Sequence, residues 1–440
     1  MPRANDALDK TRELQRKLYL AAKRSPARRF HALYDKVYRE DFLRRGWEDV
    51  RRNRGAPGVD GVTIDQVEEQ GIEEFLAGLA AELRDGCYRP LPVRRVTIPK
   101  PSGGERNLGV PAVRDRVAQA AARAVLEPIF EADFLDCSYG FRPKRSAQQA
   151  LETIRAEVNR GRVWVVETDI AGFFDSLRWD VLDAALRQRI SDRRILKLIR
   201  GWLQAGVLAD GSLLHPEAGT PQGGVISPLL ANVVLHLLDR EWEQQHRRLG
   251  VLARFADDLV VLAATRQRAD AALAELARLV ADLGLELKEA KTRVVNLREP
   301  GEGVDFLGFH HRWVESFTRK GRYFCARWPA DRAVRAAKTE IRARTDRRLL
   351  MLPVADVVAN LNRFLVGWRS YFRHGNSTTV FHDLDRFVTE RMARFITNKH
   401  GYRGRGYGMW VLRGNEYLGL HRLVGNVRHG PARKAVHAAR

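Results

Sequence analysis

A β-rich run at residues 163–170 (VWVVETDI) ends on a carboxylate, Asp169. Eighty-eight residues later Asp257 and Asp258 sit together between the apolar runs LARF and LVVLA. Apolar runs of this kind build buried strands, and an acidic side chain at a buried strand end is costly unless it is paired or bound to a cation. An isolated Asp-Asp pair is usually only a hairpin turn, because Asp favours turns. A third carboxylate closing another buried strand, with a helix-rich stretch between, points instead to a divalent-metal site. Two Mg²⁺ ions about 3.5–4 Å apart use carboxylates in this way, with Mn²⁺ as the substitute ion.

The pattern around these residues fixes an order of elements. Apolar spacing predicts helices over 68–85, closed by Gly86, and over 112–131, where Val113, Val117, Ala121 and Val125 recur every four residues. Further helices are expected at 178–190, 228–245 and 266–283, the last closed by Gly284. Strands are expected across 250–263 and at 293–299. Strand, helix, hairpin, helix, strand is the order of a split β-α-β unit.

The charge is unevenly spread. The 440 residues carry a net +22, of which +14 falls on residues 331–440 and +5 on residues 1–50, so the 280 residues between carry only +3. A basic excess says little about fold but favours a polyanionic partner. The three cysteines, Cys87, Cys137 and Cys325, have no paired spacing, which excludes a cysteine-based zinc module and argues against a disulfide framework. No apolar run reaches the length of a membrane span, and the charged N-terminus is unlike a signal peptide, so no membrane partner and a cytoplasmic, nucleoid-associated location are expected. In the basic end, Arg363, Trp368, Arg369, Tyr371, Phe372, Arg373 and His374 interleave cations with aromatic rings, a mixture that suits RNA. Leu361, Phe364, Leu365 and Trp368 also have helical spacing, so an apolar face is expected to be buried beneath a basic one.

Taken in order, the motifs resemble those of reverse transcriptases encoded by group II introns. They are IPKPSGGERNLGVPAVRDRVAQ (98–119), CSYGFRPKRSAQQAL (137–151), TDIAGFFDSL (168–177), GTPQGGVISPLLANVVL (219–235), RFADDLVVL (254–262), LGLELKEAKTRVV (283–295), DFLGF (305–309) and LNRFLVGWRSYFRHGN (361–376). The resemblance implies an α+β right-hand polymerase: fingers, a split β-α-β palm with an antiparallel sheet, and an α-helical thumb merging into a maturase region. The expected divisions are an N-terminal basic helical extension at 1–60, fingers and palm at 61–310, and a thumb/maturase RNA-binding region at 311–440.

The same resemblance carries residue roles onto this sequence. Asp169, Asp257 and Asp258, with the carbonyl of Ile170, would bind metal. Lys100 and Arg106 would clamp the triphosphate, Gln222 would touch the incoming nucleotide, and Phe174 would exclude a 2′-hydroxyl, with Phe173 an ordinary core ring. Lys291 would act as general acid for pyrophosphate. Arg142, Lys144, Arg363, Arg369, Arg373, Arg391 and Arg394 would contact RNA. The expected partners are structured intron RNA, an RNA template with a DNA primer, dNTPs and target DNA. Two other readings stand beside this one: a domesticated reverse transcriptase in phage defence or repair, and a splicing-only RNA-binding maturase.

The sequence departs from the family pattern in two places. Phe255 occupies the position where the family usually has tyrosine, which keeps the ring and removes its hydroxyl. The final residues, GNVRHGPARKAVHAAR, show neither paired cysteines nor a His-Asn-His nuclease pattern, as in the shorter class without an endonuclease.

Overall fold

The computed structural model describes residues 4–99, 105–209, 212–214, 217–220, 222–401, 418–425 and 427. In chain order its strands are β1 Val93–Pro99, β2 Glu105–Val110, β3 Trp164–Asp169, β4 Val207–Ala209, β5 Ser212–Leu214, β6 Val251–Phe255, β7 Asp258–Ala263, β8 Arg293–Asn296, β9 Val304–Phe306, β10 Phe309–Ser316 and β11 Arg319–Pro329. They form three sheets, ordered β2-β1-β4-β5, β6-β7-β3-β8 and β11-β10-β9. The second sheet, with the helices Trp179–Arg187, Ser227–Glu241 and Arg266–Asp282, has the strand–helix–hairpin–helix–strand order expected of a split palm. Sheets and helices mix as in an α+β right-hand polymerase.

The chain divides into two compact units. The first comprises Met1–Ser146, Val166–Val261 and Gln267–Arg293. The helix Val113–Glu131 is central to it: its run of alanines keeps the helix surface thin, and the helices Ala4–Arg24 and Glu40–Asn53 pack against it. At that crossing a Cβ on Gly46 would stand 2.7 Å from the carbonyl oxygen of Val117, so only glycine permits the approach. Gln15 Nε2 donates to the Ala124 carbonyl at 2.8 Å. Residues 1–60 therefore share a core with residues that follow them in the same unit. The helix Ile64–Gln70 starts at a capping box between Thr63 and Gln66, and Ile72–Asp85 ends on left-handed Gly86 as the sequence predicts.

The second unit comprises Ala147–Val165, Leu262–Arg266 and Val294–Arg440. The helix Ala147–Asn159 packs against β11, and Asn159 Oδ1 accepts from the Cys325 amide at 2.9 Å. β9 and β10 are joined by a two-residue turn, Leu307 and Gly308, both left-handed with φ 49° and 78°. Successive positive φ values give the turn a twist that suits a tight hairpin. The helices Asp331–Arg344, Val354–Phe372 and Thr378–His400 then pack around Ile341, Leu361, Leu365, Phe381 and Met392. Trp368 lies 4.5 Å from Phe372 and 5.7 Å from Phe381 between ring centroids, which places its ring on the buried apolar face. Among the described residues no helix is long and apolar enough to cross a membrane.

Candidate active site

Asp169 closes β3 and Asp258 opens β7; Asp257 lies in the turn between β6 and β7. All three belong to the first unit. The turn is unusual in that Ala256 is left-handed, with φ 56°. This conformation is strained for a residue with a Cβ and persists only where the surroundings enforce it. Here they do. The amide of Ile170 donates to the Asp257 carbonyl at 3.3 Å, which ties the end of β3 to the turn. Lys288 N donates to the Asp169 carbonyl at 2.7 Å, and Ala171 N to the Glu286 carbonyl at 2.8 Å, which ties the other side of β3 to the segment before β8.

Arg254 does the rest, and the sequence reading did not single it out. The side chain is wholly buried. Its Nε and Nη2 donate to Asp239 at 2.7 and 2.5 Å, Nη1 donates to Asn232 Oδ1 at 3.0 Å, and Nη2 also donates to Ser138 Oγ at 2.7 Å. Nη1 further donates to the Ala256 carbonyl at 3.1 Å, so one guanidinium holds the left-handed residue itself. Asn232 Nδ2 donates in turn to the Gly140 carbonyl at 2.9 Å. A Cβ on Gly140 would stand 2.5 Å from the Ala256 amide, so glycine lets this backbone abut the turn. A buried cation with its donors paired to a carboxylate, an amide, a hydroxyl and a carbonyl is the arrangement that makes burial tolerable.

The electrostatics follow from crowding. Burial raises the pKa of the Asp257 carboxyl, and the charge of Asp169 raises it further. Asp258 is pushed up to about 7, first by burial and then by Asp169 and Asp257. A site that works with these groups ionised at neutral pH needs a cation close by. Lys291 is one. Its ammonium is hydrogen-bonded and ion-paired to Asp169. Burial works to lower its pKa, but the bond to Asp169 and the charges of Asp258 and Asp257 outweigh that and raise it. Lys291 is thus joined to the triad, and not a lysine merely exposed at a helix end. Among the described residues no three His, Cys, Asp or Glu side chains stand grouped as a ready metal site, and Asp169 is turned to Lys291. The donor set nevertheless fits hard divalent ions: mutually repelling carboxylates, Asp169 buried and Asp257 and Asp258 half-buried, with a backbone carbonyl.

Around the triad the structure brings several predicted residues together. Arg106, on β2, donates from Nε to Gln222 Oε1 at 2.7 Å, and the Gly109 amide donates to the Gln222 carbonyl at 2.7 Å. Gly223 is left-handed, and a Cβ there would meet the Gly109 carbonyl oxygen at 2.5 Å. Arg106 also acts to lower the pKa of Asp257, which places its charge towards the triad. Lys100 lies outside the described residues. Phe173 and Phe174 meet edge to face at 5.4 Å; Phe173 is 2% exposed and Phe174 9%. The Phe174 carbonyl accepts from Thr220 N at 2.7 Å, which joins it to the turn that carries Gln222. Phe255 has its ring 6.3 Å from that of Phe141, an exposed residue with φ 55°.

The residues expected to contact RNA differ in how their donors are used. Arg142 is buried: Nε and Nη2 grip Glu131 at 3.0 and 2.8 Å, and the other donors go to the carbonyls of Phe134, Leu135 and Ser138. Every donor is used internally, so Arg142 shapes its own loop. Arg391 is half-buried and donates to the hydroxyl and carbonyl of Thr345 at 3.1 and 3.0 Å, fastening one helix to the end of another. Lys144, Arg363 and Arg394 are exposed; Arg369 and Arg373 are half-buried.

Comparison with known proteins agrees with the motif order. Residues 98–311 match the family model described as reverse transcriptase (RNA-dependent DNA polymerase), and residues 334–412 match the group II intron, maturase-specific domain. The chain is similar to Protein YkfC of Escherichia coli (strain K12), 35% identical over 348 residues, covering 70% of this chain and 90% of that protein. It is 39% identical over 212 residues to the group II intron-encoded protein LtrA of Lactococcus lactis subsp. cremoris, covering 48% of this chain and 35% of LtrA. An uncharacterized 91 kDa protein in the cob intron of Schizosaccharomyces pombe is 37% identical over 207 residues, covering 47% of this chain and 25% of that protein.

Proposed function

The chain belongs to the family of group II intron-encoded reverse transcriptases with a maturase domain, and from that premise we propose that it copies intron RNA into DNA at Asp169, Asp257 and Asp258 while its C-terminal region binds the intron RNA to aid splicing and mobility. It is an RNA-directed DNA polymerase, a class that works with a divalent metal and acts on nucleic-acid substrates. The observation that carries the assignment of the site is the mutual electrostatic effect of three carboxylates, Asp169 buried and Asp257 and Asp258 half-buried, at the β3 end and the β6–β7 turn, beside Lys291. In this reading residues 61–310 make the fingers and palm and residues 311–440 the thumb and maturase region. The partners are structured intron RNA, a primed RNA template, dNTPs and target DNA.

The chemistry can be assigned to named atoms. Asp169, Asp257, Asp258 and the Ile170 carbonyl would hold two Mg²⁺ ions, or Mn²⁺ in their place, which when bound make the primer 3′-hydroxyl a better nucleophile and neutralise charge on the triphosphate. Arg106, with Lys100, binds the triphosphate oxygens as a charge-assisted donor. Gln222 positions the nucleotide, with the Gly223 backbone letting it approach. Lys291 holds a proton at Nζ beside Asp169 and can pass it to the leaving pyrophosphate. Phe174 presents its ring where the sugar lies and leaves no room for a 2′-hydroxyl.

The sugar assignment has a direct test. Phe174→Ala is expected to raise the efficiency of rNTP incorporation relative to dNTP by at least about tenfold, the size of one lost steric or packing discrimination. Single-nucleotide addition with each substrate measures the ratio. An unchanged ratio makes Phe174 a core residue only.

The basic end is tested separately. Reversing the charge of Arg363, Arg369, Arg373 and Arg394 is expected to weaken binding to structured RNA and to flatten its salt dependence by up to about 0.9 log units per lost phosphate contact. Single-nucleotide addition on a short pre-annealed primer–template should suffer less. Affinity and salt slope at wild-type values would make this face a solvated surface and remove the physical support for intron RNA binding there. Arg391 is left out of the set because its loss would damage packing.

A further inference from the structure

The hairpin β10–β11 carries a feature that the palm chemistry does not use. Its register pairs Trp313 with Cys325 and Glu315 with Tyr323, which puts Trp313, Glu315, Tyr323 and Cys325 on one face and Arg312 and Arg322 on the other. At its root that face is covered, since β11 packs against the helix Ala147–Asn159 and Arg327 pairs with Glu152 at 3.2 Å. Towards the tip it is open. Trp313 and Tyr323 lie in near-parallel planes, 8° apart with centroids at 6.4 Å; Trp313 is half-buried and Tyr323 is 52% exposed. Phe317, at the turn, is fully exposed. Residues 310–323 carry Arg312, Arg319, Lys320 and Arg322 against Glu315, a net +3; Arg319 and Lys320 stand exposed at the turn, and the Glu315 carboxylate is occupied by the Gly321 amide at 2.6 Å.

A solvent-facing aromatic shelf is unfavourable in water and calls for an occupant. The surrounding positive charge selects an anion, and the flat rings select planar groups, a combination found together in unpaired nucleotides. We propose that the β10–β11 tip is a binding platform for unpaired RNA, with bases stacking on Trp313 and Tyr323 and phosphates meeting Arg319 and Lys320 at the turn. The proposal rests on the reading of the chain as an RNA-binding polymerase and adds to it a second contact, separate from the carboxylate site and from the basic helices. A duplex would not use the rings, because its bases are already stacked.

The test uses the full-length protein and a short single-stranded RNA containing 4-thiouridine. Cross-linking under long-wave ultraviolet light, followed by peptide mapping, is expected to place adducts on Trp313, Phe317 or Tyr323. Trp313→Ala and Tyr323→Ser should each lower affinity for this RNA about tenfold, while Tyr323→Phe, which keeps a ring, stays near wild type. Arg319→Glu with Lys320→Glu changes only exposed side chains at the tip, so folding is not at risk. It should lower affinity and flatten the salt dependence, by about 0.7 log units per phosphate on a single strand. Primer extension on a pre-annealed template, run on the same wild-type sample, separates the two levels. If the wild type fails to extend, the polymerase reading itself falls. If it extends, and the ring and charge variants bind and cross-link as wild type does, the platform alone is overturned. Loss of self-association in the variants with RNA binding unchanged would also overturn it, by giving the shelf to a second copy of the chain.

Discussion

Asp257→Ala combined with Asp258→Ala is expected to lower primer extension by at least about a thousandfold, since each cation interaction lost at a developing charge is worth several kcal/mol. RNA affinity should stay within about twofold of wild type, because the exposed cations of the C-terminal region belong to other segments. The variant should also fold well. Burial raises the pKa of both carboxyls, so the two aspartates are a cost to the folded state that alanine removes. Urea unfolding is therefore expected to show equal or higher stability beside the lost activity, a pairing that a merely structural aspartate would not give. Residual extension near the wild-type rate would end the assignment of this turn as the catalytic one.

Arg254→Met is expected to have the largest effect on stability, about 3–5 kcal/mol, the usual cost of removing one member of a buried ion pair and leaving the other uncompensated. Asp239 would be left in a site with no solvent access and no countercharge. Combining Arg254→Met with Asp239→Leu should recover most of that loss, because replacing both partners with apolar groups is often neutral. Primer extension should not recover with it. The Ala256 carbonyl would still lack its donor, and the left-handed turn that presents Asp257 would lose its anchor. Chemical unfolding and single-nucleotide addition on the single and double variants separate the two outcomes. Full recovery of both would mean that Arg254 contributes stability and nothing to the geometry of the turn.

Much of this architecture can be read from the sequence where local signals are strong. Asp169 ends a run of β-branched and aromatic residues, the glycines at 86 and 284 stop helices in left-handed caps, and the apolar runs either side of Asp257 and Asp258 pair as β6 and β7. The less legible parts are those decided by partners distant in sequence. The sheet β9–β11 has no clean alternation, since WVESFTRKGRYF mixes rings and charges on both faces of an exposed ribbon. Arg142 and Arg391 look like phosphate contacts because their type and neighbours are right, yet carbonyls and a carboxylate elsewhere in the fold use their donors. Arg254 left a trace that could have been followed: a charged residue within an apolar strand beside the Asp257–Asp258 turn must have a buried partner. What the sequence could not say is that the partner is Asp239, 15 residues earlier on a helix.

That same guanidinium imposes an order on the making of the protein. Its partners at Ser138, Asn232 and Asp239 are all synthesised before it, and the turn it holds comes immediately after. A nascent chain that has passed Asp239 therefore carries a carboxylate with no cation to accompany it into the core, and that part of the interior cannot close. Once residue 254 has left the ribosome, one side chain can join the segment near residue 138, the helix Ser227–Glu241 and the turn at Ala256 in a single step. The turn that presents Asp257 is then withheld until this side chain exists, so a product truncated before it carries Asp169 without the turn that pairs with the end of β3.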